Sequence, residues 1–173
     1  MEYNVKKDLE RDMNDFKICC FSGHRRISAE HFMRLPDLLD KVLDKLVGEG
    51  FRTFRAGGAV GFDTLCALKC LELKKKYPDL RITLELCLPC RNQTEGWSAQ
   101  EKNIYDFVLS KADKITYEQE LYSAGCMHAR NRRLVNGANA CVVYLSSRSG
   151  GTAYTCNYAT ENGVRVINLA RLL

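Results

Sequence analysis

The chain has 173 residues, with 46% hydrophobic and 27% charged side chains and a net charge of +5 from 26 basic and 21 acidic residues. These values are typical of one globular domain with a substantial core, and they exclude a repeat, low-complexity or membrane-spanning protein. The polar segment 1–15 lacks the features of a secretory signal. We therefore expect a cytoplasmic protein with a flexible or helical lead-in over 1–15, a single domain over 16–173, and no membrane partner.

Strands and helices are predicted to alternate along the chain. Short apolar runs predict strands over 16–21, 51–55, 81–88, 114–117, 140–145 and 164–169. Helices are predicted over 28–50 with a break near Pro36, over 64–77, 98–111 and 126–136, and from about 152 to 163. Because the strands are nearly all apolar, they favour a parallel sheet with helices on both faces. The predicted fold class is α/β, a Rossmann-like three-layer domain with a mostly parallel sheet.

Four of the loops that follow predicted strands are polar. They cover residues 22–26, 55–63, 91–94 and 146–152. In a parallel sheet these loops meet at the carboxyl edge, where open α/β folds bind their ligands. The loops predicted at the opposite edge contain only ordinary turn residues. This asymmetry predicts a ligand cleft at the carboxyl edge.

Two of these loops contain glycine turns that lead into helices. In the first, Gly57, Gly58 and Gly61 allow a phosphate to approach backbone N–H groups at a helix start, although a tight turn needs glycine for steric reasons alone. The second, Ser149-Gly-Gly-Thr152, has the same character, and Ser149 is also a candidate N-cap. Both turns are candidate anion sites.

Three charged or titratable side chains have two interpretations each. Asp63 is either stabilised by its helix dipole or accepts hydrogen bonds from sugar hydroxyls. Arg130 and Arg133, three residues apart on a helix, either clamp a phosphate together or are solvated. His24 either transfers protons or holds its loop by hydrogen bonds.

The nine cysteines are scattered and most lie in apolar runs, so we expect buried, reduced thiols. Cys87-Leu-Pro-Cys90 has a metal or redox spacing, but no second pair accompanies it. His24, His31 and His128 form no ligand spacing with it. No metal site is predicted.

The loop motifs together resemble the SLOG superfamily, which unites the DprA/Smf proteins, the LOG ("lonely guy") phosphoribohydrolases and the YpsA-like proteins. The closest similarity is to the YpsA-like branch, over residues 16–173. It is carried by Phe21-Ser-Gly-His-Arg25, Gly57-Gly-Ala-Val-Gly-Phe-Asp63, Leu88-Pro-Cys-Arg-Asn-Gln93 with Trp97, Ala129-Arg-Asn131 and Ser149-Gly-Gly-Thr152. The resemblance implies a Rossmann-like fold that binds a nucleotide or nucleotide-derived ligand, and it suggests self-association into a homo-oligomer.

The resemblance also bears on catalysis. Met127-His-Ala-Arg130 is similar to the Met-His-Glu-Arg stretch of LOG enzymes, which implies that Arg130 corresponds to their catalytic arginine. Their second motif, Pro-Gly-Gly-x-Gly-Thr-x-x-Glu, supplies a glutamate that the segment 149–157 lacks, and Glu161 lies too far along the helix. Without that carboxylate the main electrostatic stabilisation of N-glycosidic cleavage is missing. Whether the protein is an enzyme stays open, with Arg130, His24 and Asp63 as catalytic candidates.

The leading hypothesis is binding or sensing of a nucleotide derivative of the NAD or ADP-ribose type, with no other cofactor assigned. The alternatives are a LOG-type nucleoside monophosphate phosphoribohydrolase and a DprA-type single-stranded DNA binder, and the modest charge argues against nucleic acid. The expected ligand-binding residues are Ser22, Gly23, His24, Arg25, Gly57, Gly58, Gly61, Asp63, Arg91, Arg130, Ser149, Gly150, Gly151 and Thr152.

Overall fold

The computed structural model describes residues 16–173, and the lead-in expected over 1–15 lies outside that range. Six strands form one sheet in the order β4-β3-β2-β1-β5-β6, and every neighbouring pair is parallel. The strands β1 to β6 are Lys17–Gly23, Phe51–Ala56, Thr83–Cys90, Lys114–Gln119, Ala140–Tyr144 and Arg165–Asn168. The predicted α/β class with a parallel sheet is confirmed.

Six α-helices connect and flank the strands within the described residues. The helices α1 to α6 are Ala29–Phe32, Leu35–Gly48, Phe62–Lys76, Ala99–Lys111, Cys126–Val135 and Gly151–Glu161, and a 3-10 turn at Leu169–Arg171 follows β6. The helix predicted over 28–50 is divided into α1 and α2. Pro36 lies in the first turn of α2, where a missing backbone N–H costs no helical hydrogen bond.

Two apolar clusters form the core, one on each face of the sheet. The larger cluster joins β1, β2 and β3 to α2, α3 and α4, and the smaller joins β1 and β5 to α5 and α6. Cys19 belongs to the larger cluster and Cys20 to the smaller, because successive side chains of a strand point to opposite faces. The predicted three-layer arrangement follows directly from this alternation.

Strand β3 continues past the predicted end at residue 88 and includes Pro89 and Cys90. Its pairing with β2 stops at Leu86, whereas its pairing with β4 continues to Cys90. Proline is tolerated at this point because one side of the strand no longer has a neighbour that needs its N–H. The loop after β3 stays close to the turn after β2, because a Cβ atom at Gly58 would lie 3.1 Å from Nε2 of Gln93.

All nine cysteines are free thiols, and eight of them are buried, which confirms the interpretation of these residues as small apolar core side chains. Burial raises the pKa of the Cys66 thiol well above its ordinary value. Within residues 16–173, no three His, Cys, Asp or Glu side chains are grouped in a way that could hold a metal ion. Nor does that part of the chain contain a helix long and apolar enough to span a membrane.

The strand order creates a crevice at one position of the carboxyl edge. The chain adds β2, β3 and β4 on one side of β1 and then returns to place β5 on the other side. The loops after β1 and β5 therefore leave the sheet in different directions. This is the topological switch point at which open α/β sheets bind ligands.

Candidate functional site

A cavity of about 380 Å³ opens at the crevice between β1 and β5. Residues of the loops after β1 and β2 line it together with α5 and the start of α6. The predicted site residues in its wall are Ser22, Gly23, His24, Arg25, Asp63, Arg130, Gly151 and Thr152. The others, Gly57, Gly58, Gly61, Arg91, Ser149 and Gly150, lie outside the wall. The fold thus brings eight residues from four separate sequence segments to one cavity.

The deepest polar feature of this cavity is a buried ion pair between Asp63 and Arg130. Nη1 of Arg130 lies 3.7 Å from Oδ2 of Asp63, and the two residues are only 6% and 4% exposed. Nη1 also donates to the Gly57 carbonyl, and Nε donates to Oδ1 of Asn131 at 2.8 Å. These contacts fix the guanidinium plane against the cavity wall.

One nitrogen of this guanidinium, Nη2 of Arg130, differs from the other two. It donates to no oxygen among residues 16–173, while Nε and Nη1 are both engaged. No fully enclosed side-chain nitrogen or oxygen of the described residues lacks a partner, so Nη2 is accessible from outside the protein interior, and Arg130 is a residue of the cavity wall. A charged donor is therefore held in place with two N–H groups ready for an acceptor.

Burial acts on the pKa of both partners of the pair. It raises the pKa of the Asp63 carboxyl, and this rise is opposed by the Arg130 charge and by the backbone N–H groups of Ala59 and Gly57. It lowers the pKa of the Arg130 guanidinium, which stays protonated because arginine titrates far above physiological pH. Each charge is thus stabilised in the interior mainly by the other.

The glycine turn after β2 is explained by close packing. A Cβ atom at Gly57 would overlap the Arg130 guanidinium and lie 2.7 Å from Oδ2 of Asp63. At Gly61, where φ is +85°, a Cβ would overlap the Arg25 carbonyl. The sequence left open whether these glycines serve phosphate binding or a tight turn, and the close packing shows that Gly57 and Gly61 are needed for steric reasons. Ala59 is the residue of this turn that reaches the cavity wall.

The start of α6 presents backbone donors to the cavity. Gly150 is the N-cap residue, with φ of 93°, and no side chain accepts from the first turn. The interpretation of Ser149 as the N-cap is therefore wrong, because the chain enters the helix one residue later through a conformation that favours glycine. Since Gly151 and Thr152 line the cavity, uncapped N–H groups and the positive end of the helix dipole face it.

His24 connects the loop after β1 to the loop after β5. Its Nε2 accepts a hydrogen bond from the Ser146 N–H at 3.0 Å, and its backbone N–H donates to the Tyr144 carbonyl at 3.3 Å. Burial lowers the pKa of the His24 imidazole from its ordinary value. The neutral ring, protonated on Nδ1, is the form that accepts from Ser146, so the loop-holding interpretation has direct geometric support.

We expect the folded protein to lose stability as the pH falls below about 6.5, the ordinary His24 value. The unfolded chain takes up a proton at His24 at a higher pH than the folded protein does, so acidification favours unfolding in that window. His24→Gln keeps an acceptor without titrating and should flatten this dependence. Urea midpoints from pH 7.5 to 5.5 measure it, and equal slopes for both proteins would contradict the assignment.

The predicted cationic residues separate into different environments. Arg25 is exposed at the cavity and belongs to none of the ion pairs within residues 16–173. Arg91 lies 4.3 Å over the Tyr117 ring and donates to Glu120 at 2.8 Å, away from the cavity.

The structure separates Arg130 from Arg133, which the sequence left as either a phosphate clamp or solvated side chains. Arg133 pairs with Glu118 beside β4 and lines a separate pocket, while Arg130 is buried against the glycine turn. Residues three apart are neighbours on a helix, but these two side chains have different partners, Glu118 for Arg133 and the Gly57 carbonyl for Arg130. Of these two arginines, only Arg130 lines the cavity.

Sequence reasoning missed five residues of the cavity wall: Ala59, Met127, His128, Asn131 and Leu134. Four of them lie on α5. The helical spacing of 127, 130, 131 and 134 was available as a signal, because residues three and four apart share a helix face. Once Arg130 was a candidate, the same periodicity predicted its neighbours.

Sequence comparison finds relatives in bacteria. The chain is 29% identical over 142 residues to an uncharacterised SPbeta prophage-derived protein, YoqJ, of Bacillus subtilis, covering 75% of this chain and 82% of that protein. It is 26% identical over 128 residues to a UPF0398 protein of Bacillus thuringiensis, covering 72% and 68% of the two chains.

Two solved structures of DNA processing protein A share the fold. The Streptococcus pneumoniae protein matches with a TM-score of 0.65 at 19% identity, over 90% of this chain and 50% of that one. The Helicobacter pylori protein, described as binding single-stranded DNA, matches with a TM-score of 0.62 at 16% identity, over 90% and 66%. The chain thus spans about half and about two thirds of those proteins, and the likeness establishes the fold.

The decisive comparison is with the YpsA family model, described as the YspA SLOG family, which matches residues 16–167. This range includes all residues of the cavity wall. It also includes all of the strands, apart from the last residue of β6. The resemblance inferred from the loop motifs is confirmed, and the chain belongs to the YpsA family of the SLOG superfamily.

Proposed function

We propose that this protein binds a nucleoside phosphate in the cavity between β1 and β5, as a binding or sensing domain. The observation that carries the proposal is the unpartnered Nη2 group of Arg130, a buried residue that lines the same cavity as the uncapped start of α6. A fixed charged donor and a helix N-terminus together form a strong binding site for a phosphate group.

The phosphate is assigned to the side of the cavity formed by α6. Backbone N–H groups at Gly151 and Thr152 supply uncharged donors there, while Arg25 and Arg130 supply positive charge. Arg25 is free to move onto a ligand because it is exposed and has no partner in the ion pairs of the described residues. Charge-assisted hydrogen bonds of this kind are about twice as strong as neutral ones.

The sugar is assigned to the side formed by Asp63. A carboxylate repels phosphate and accepts hydrogen bonds from hydroxyl groups, so it separates the two parts of the ligand. Arg130 holds the Asp63 side chain through an ion pair of 3.7 Å. A nucleotide whose ribose binds beside Asp63 would direct its phosphate toward α6.

The size of the cavity favours a mononucleotide as the enclosed part of the ligand. Its volume of about 380 Å³ is near the lower end of the range of roughly 300–1,000 Å³ that is usual for ligand pockets. A ligand of the NAD or ADP-ribose type would occupy the cavity with one nucleotide and extend out of it with the other.

Binding without hydrolysis is supported by the residues at the start of α6. The segment 149–157, which resembles the second LOG motif, contains no glutamate, and no carboxylate of α6 lines the cavity. Arg130 is occupied on two nitrogens by Gly57 and Asn131, which suits a fixed binding donor. A nucleotide should therefore be recovered intact after incubation with the protein.

Arg25→Ala is expected to weaken nucleotide binding at least about tenfold, because one charge-assisted contact to the phosphate is lost. Its effect on stability should stay within about 0.5 kcal/mol, as is usual for exposed side chains. Isothermal titration with AMP, ADP-ribose and NAD measures the affinities. Arg26→Ala is the matched control, since it removes the same charge from an exposed neighbour outside the cavity wall.

Three results would overturn the proposal in different ways. Equal losses for Arg25→Ala and Arg26→Ala would show general electrostatic attraction. Release of free adenine from AMP, followed by chromatography and abolished in Arg130→Lys, would show a phosphoribohydrolase. Oligonucleotide binding with a steep dependence on salt concentration, and no mononucleotide binding, would show a single-stranded DNA binder.

A further inference from the structure

Three aromatic rings form a column between α5 and α6. The His128 ring stacks on Tyr154 with centroids 4.3 Å apart and an interplanar angle of 10°, and Tyr154 is parallel to Tyr158 at 6.3 Å and 11°. The rings come from different helices, so the column depends on the packing of α5 against α6. His128 is exposed, and the two tyrosines are half-buried.

Polar contacts hold the column in position. Nη1 of Arg132 donates to the Tyr154 hydroxyl at 3.1 Å, and the Tyr158 hydroxyl donates to Oδ1 of Asn136 at 2.9 Å. Both partners belong to the end of α5 or the residue that follows it. The two tyrosine rings of the column are therefore held in place by α5 and the residue after it.

His128 is the member of the column that reaches the cavity. It lines the cavity wall beside Met127, whereas Tyr154 and Tyr158 do not. Tyr154 covers one face of the imidazole, which leaves the opposite face as the one available to a planar group. A flat surface backed by a second ring is a suitable platform for a nucleobase, because bases stack on aromatic side chains.

We infer that His128, supported by Tyr154, stacks on the base of the bound ligand and makes the site selective for nucleotides over sugar phosphates. The inference rests on the proposed function, since it names the third part of the same ligand. Phosphate at α6, sugar at Asp63 and base at His128 account for the three chemical surfaces of the cavity. Met127 adds a polarizable apolar side chain next to the platform.

The test compares AMP with ribose 5-phosphate, which has the same phosphate and sugar but no base. Wild-type protein is expected to bind AMP roughly ten- to hundredfold more tightly, the range that stacking of one base supports. His128→Ala should remove that preference and leave ribose 5-phosphate affinity unchanged. His128→Phe keeps an aromatic face and should retain the preference. Isothermal titration measures both ligands, and circular dichroism checks that each variant is folded.

The outcomes separate the inference from the proposal beneath it. Equal affinity of the wild type for the two compounds, or equal weakening of both by His128→Ala, overturns the stacking role and leaves the phosphate site intact. Loss of the preference in His128→Phe as well would assign the effect to an imidazole hydrogen bond and overturn stacking. Failure of either compound to bind the wild type overturns the proposed function and the inference together.

Discussion

Arg130→Met is expected to lower the free energy of unfolding by about 3–5 kcal/mol, the usual cost of removing one partner of a buried ion pair. The substitution keeps the length and apolar character of the side chain but leaves the Asp63 carboxylate buried without its counter-charge, as the two residues are only 6% and 4% exposed. It also removes the donors to Gly57 and Asn131. Urea unfolding followed by circular dichroism measures the loss.

The pH dependence of that loss identifies its cause. In Arg130→Met the folded Asp63 should bind its proton more readily than the unfolded chain does, so the variant gains relative stability as the pH falls. The deficit should therefore shrink from pH 7 toward pH 5. Asp63→Asn combined with Arg130→Met should recover part of the stability at pH 7 because no charge remains buried.

The control for this prediction is Arg132→Met, two residues further along α5. Arg132 is exposed and donates only to the neutral Tyr154 hydroxyl, so its replacement should cost about 1 kcal/mol or less. Equal losses for the two variants would mean that the Asp63–Arg130 pair does not stabilise the core, and that burial of these groups is not the source of the effect.

Gly61→Ala is expected to lower the free energy of unfolding by about 3 kcal/mol, from overpacking combined with a backbone conformation that L-residues rarely adopt. The new Cβ would overlap the Arg25 carbonyl oxygen and lie 2.6 Å from its carbon, and these are backbone atoms that cannot rotate away. The backbone at Gly61 has φ of 85° and ψ of −123°. Thermal and urea unfolding both measure the change.

Gly96→Ala separates the cost of overpacking from the cost of the positive φ. Gly96 has a similar φ of +78°, but a Cβ there would meet nothing within 4 Å. This variant should therefore cost only about 1–2 kcal/mol for the positive φ. If Gly61→Ala is no more damaging than Gly96→Ala, the loops after β1 and β2 are not in close contact. A larger loss at Gly61 supports the packing that places Arg25 at the cavity.

The fold was predictable because its signals are local. Apolar runs such as 140–145 identify strands, and Ser28 and Ser98 both cap helices through hydrogen bonds to the first turn. A parallel sheet then follows from the alternation of strands and helices. The end of β3 depends on its pairing with β4, which continues to Cys90 after the pairing with β2 has stopped. Such tertiary contacts, like those that divide α1 from α2, are not encoded in a local sequence pattern.

The site was predicted in part, and the misses have a common reason. Arg91 and Arg133 looked equivalent to Arg25 and Arg130 as cations in or near the candidate loops, but each has a carboxylate partner from β4 or the loop after it. Those partners lie 15 to 29 residues away in the sequence. Which cations remain free for a ligand is decided by such distant contacts.

The α/β class, the family and the edge of the sheet at which the loops meet could all be read from the amino-acid sequence, because periodicity and ordered motifs are local properties. Only the tertiary structure decided which loops share a cavity. It placed β5 beside β1, buried Arg130 against Asp63, and brought His128 onto Tyr154. These contacts join residues 26 to 121 positions apart, and strand order and helix packing, rather than any local pattern, bring them together.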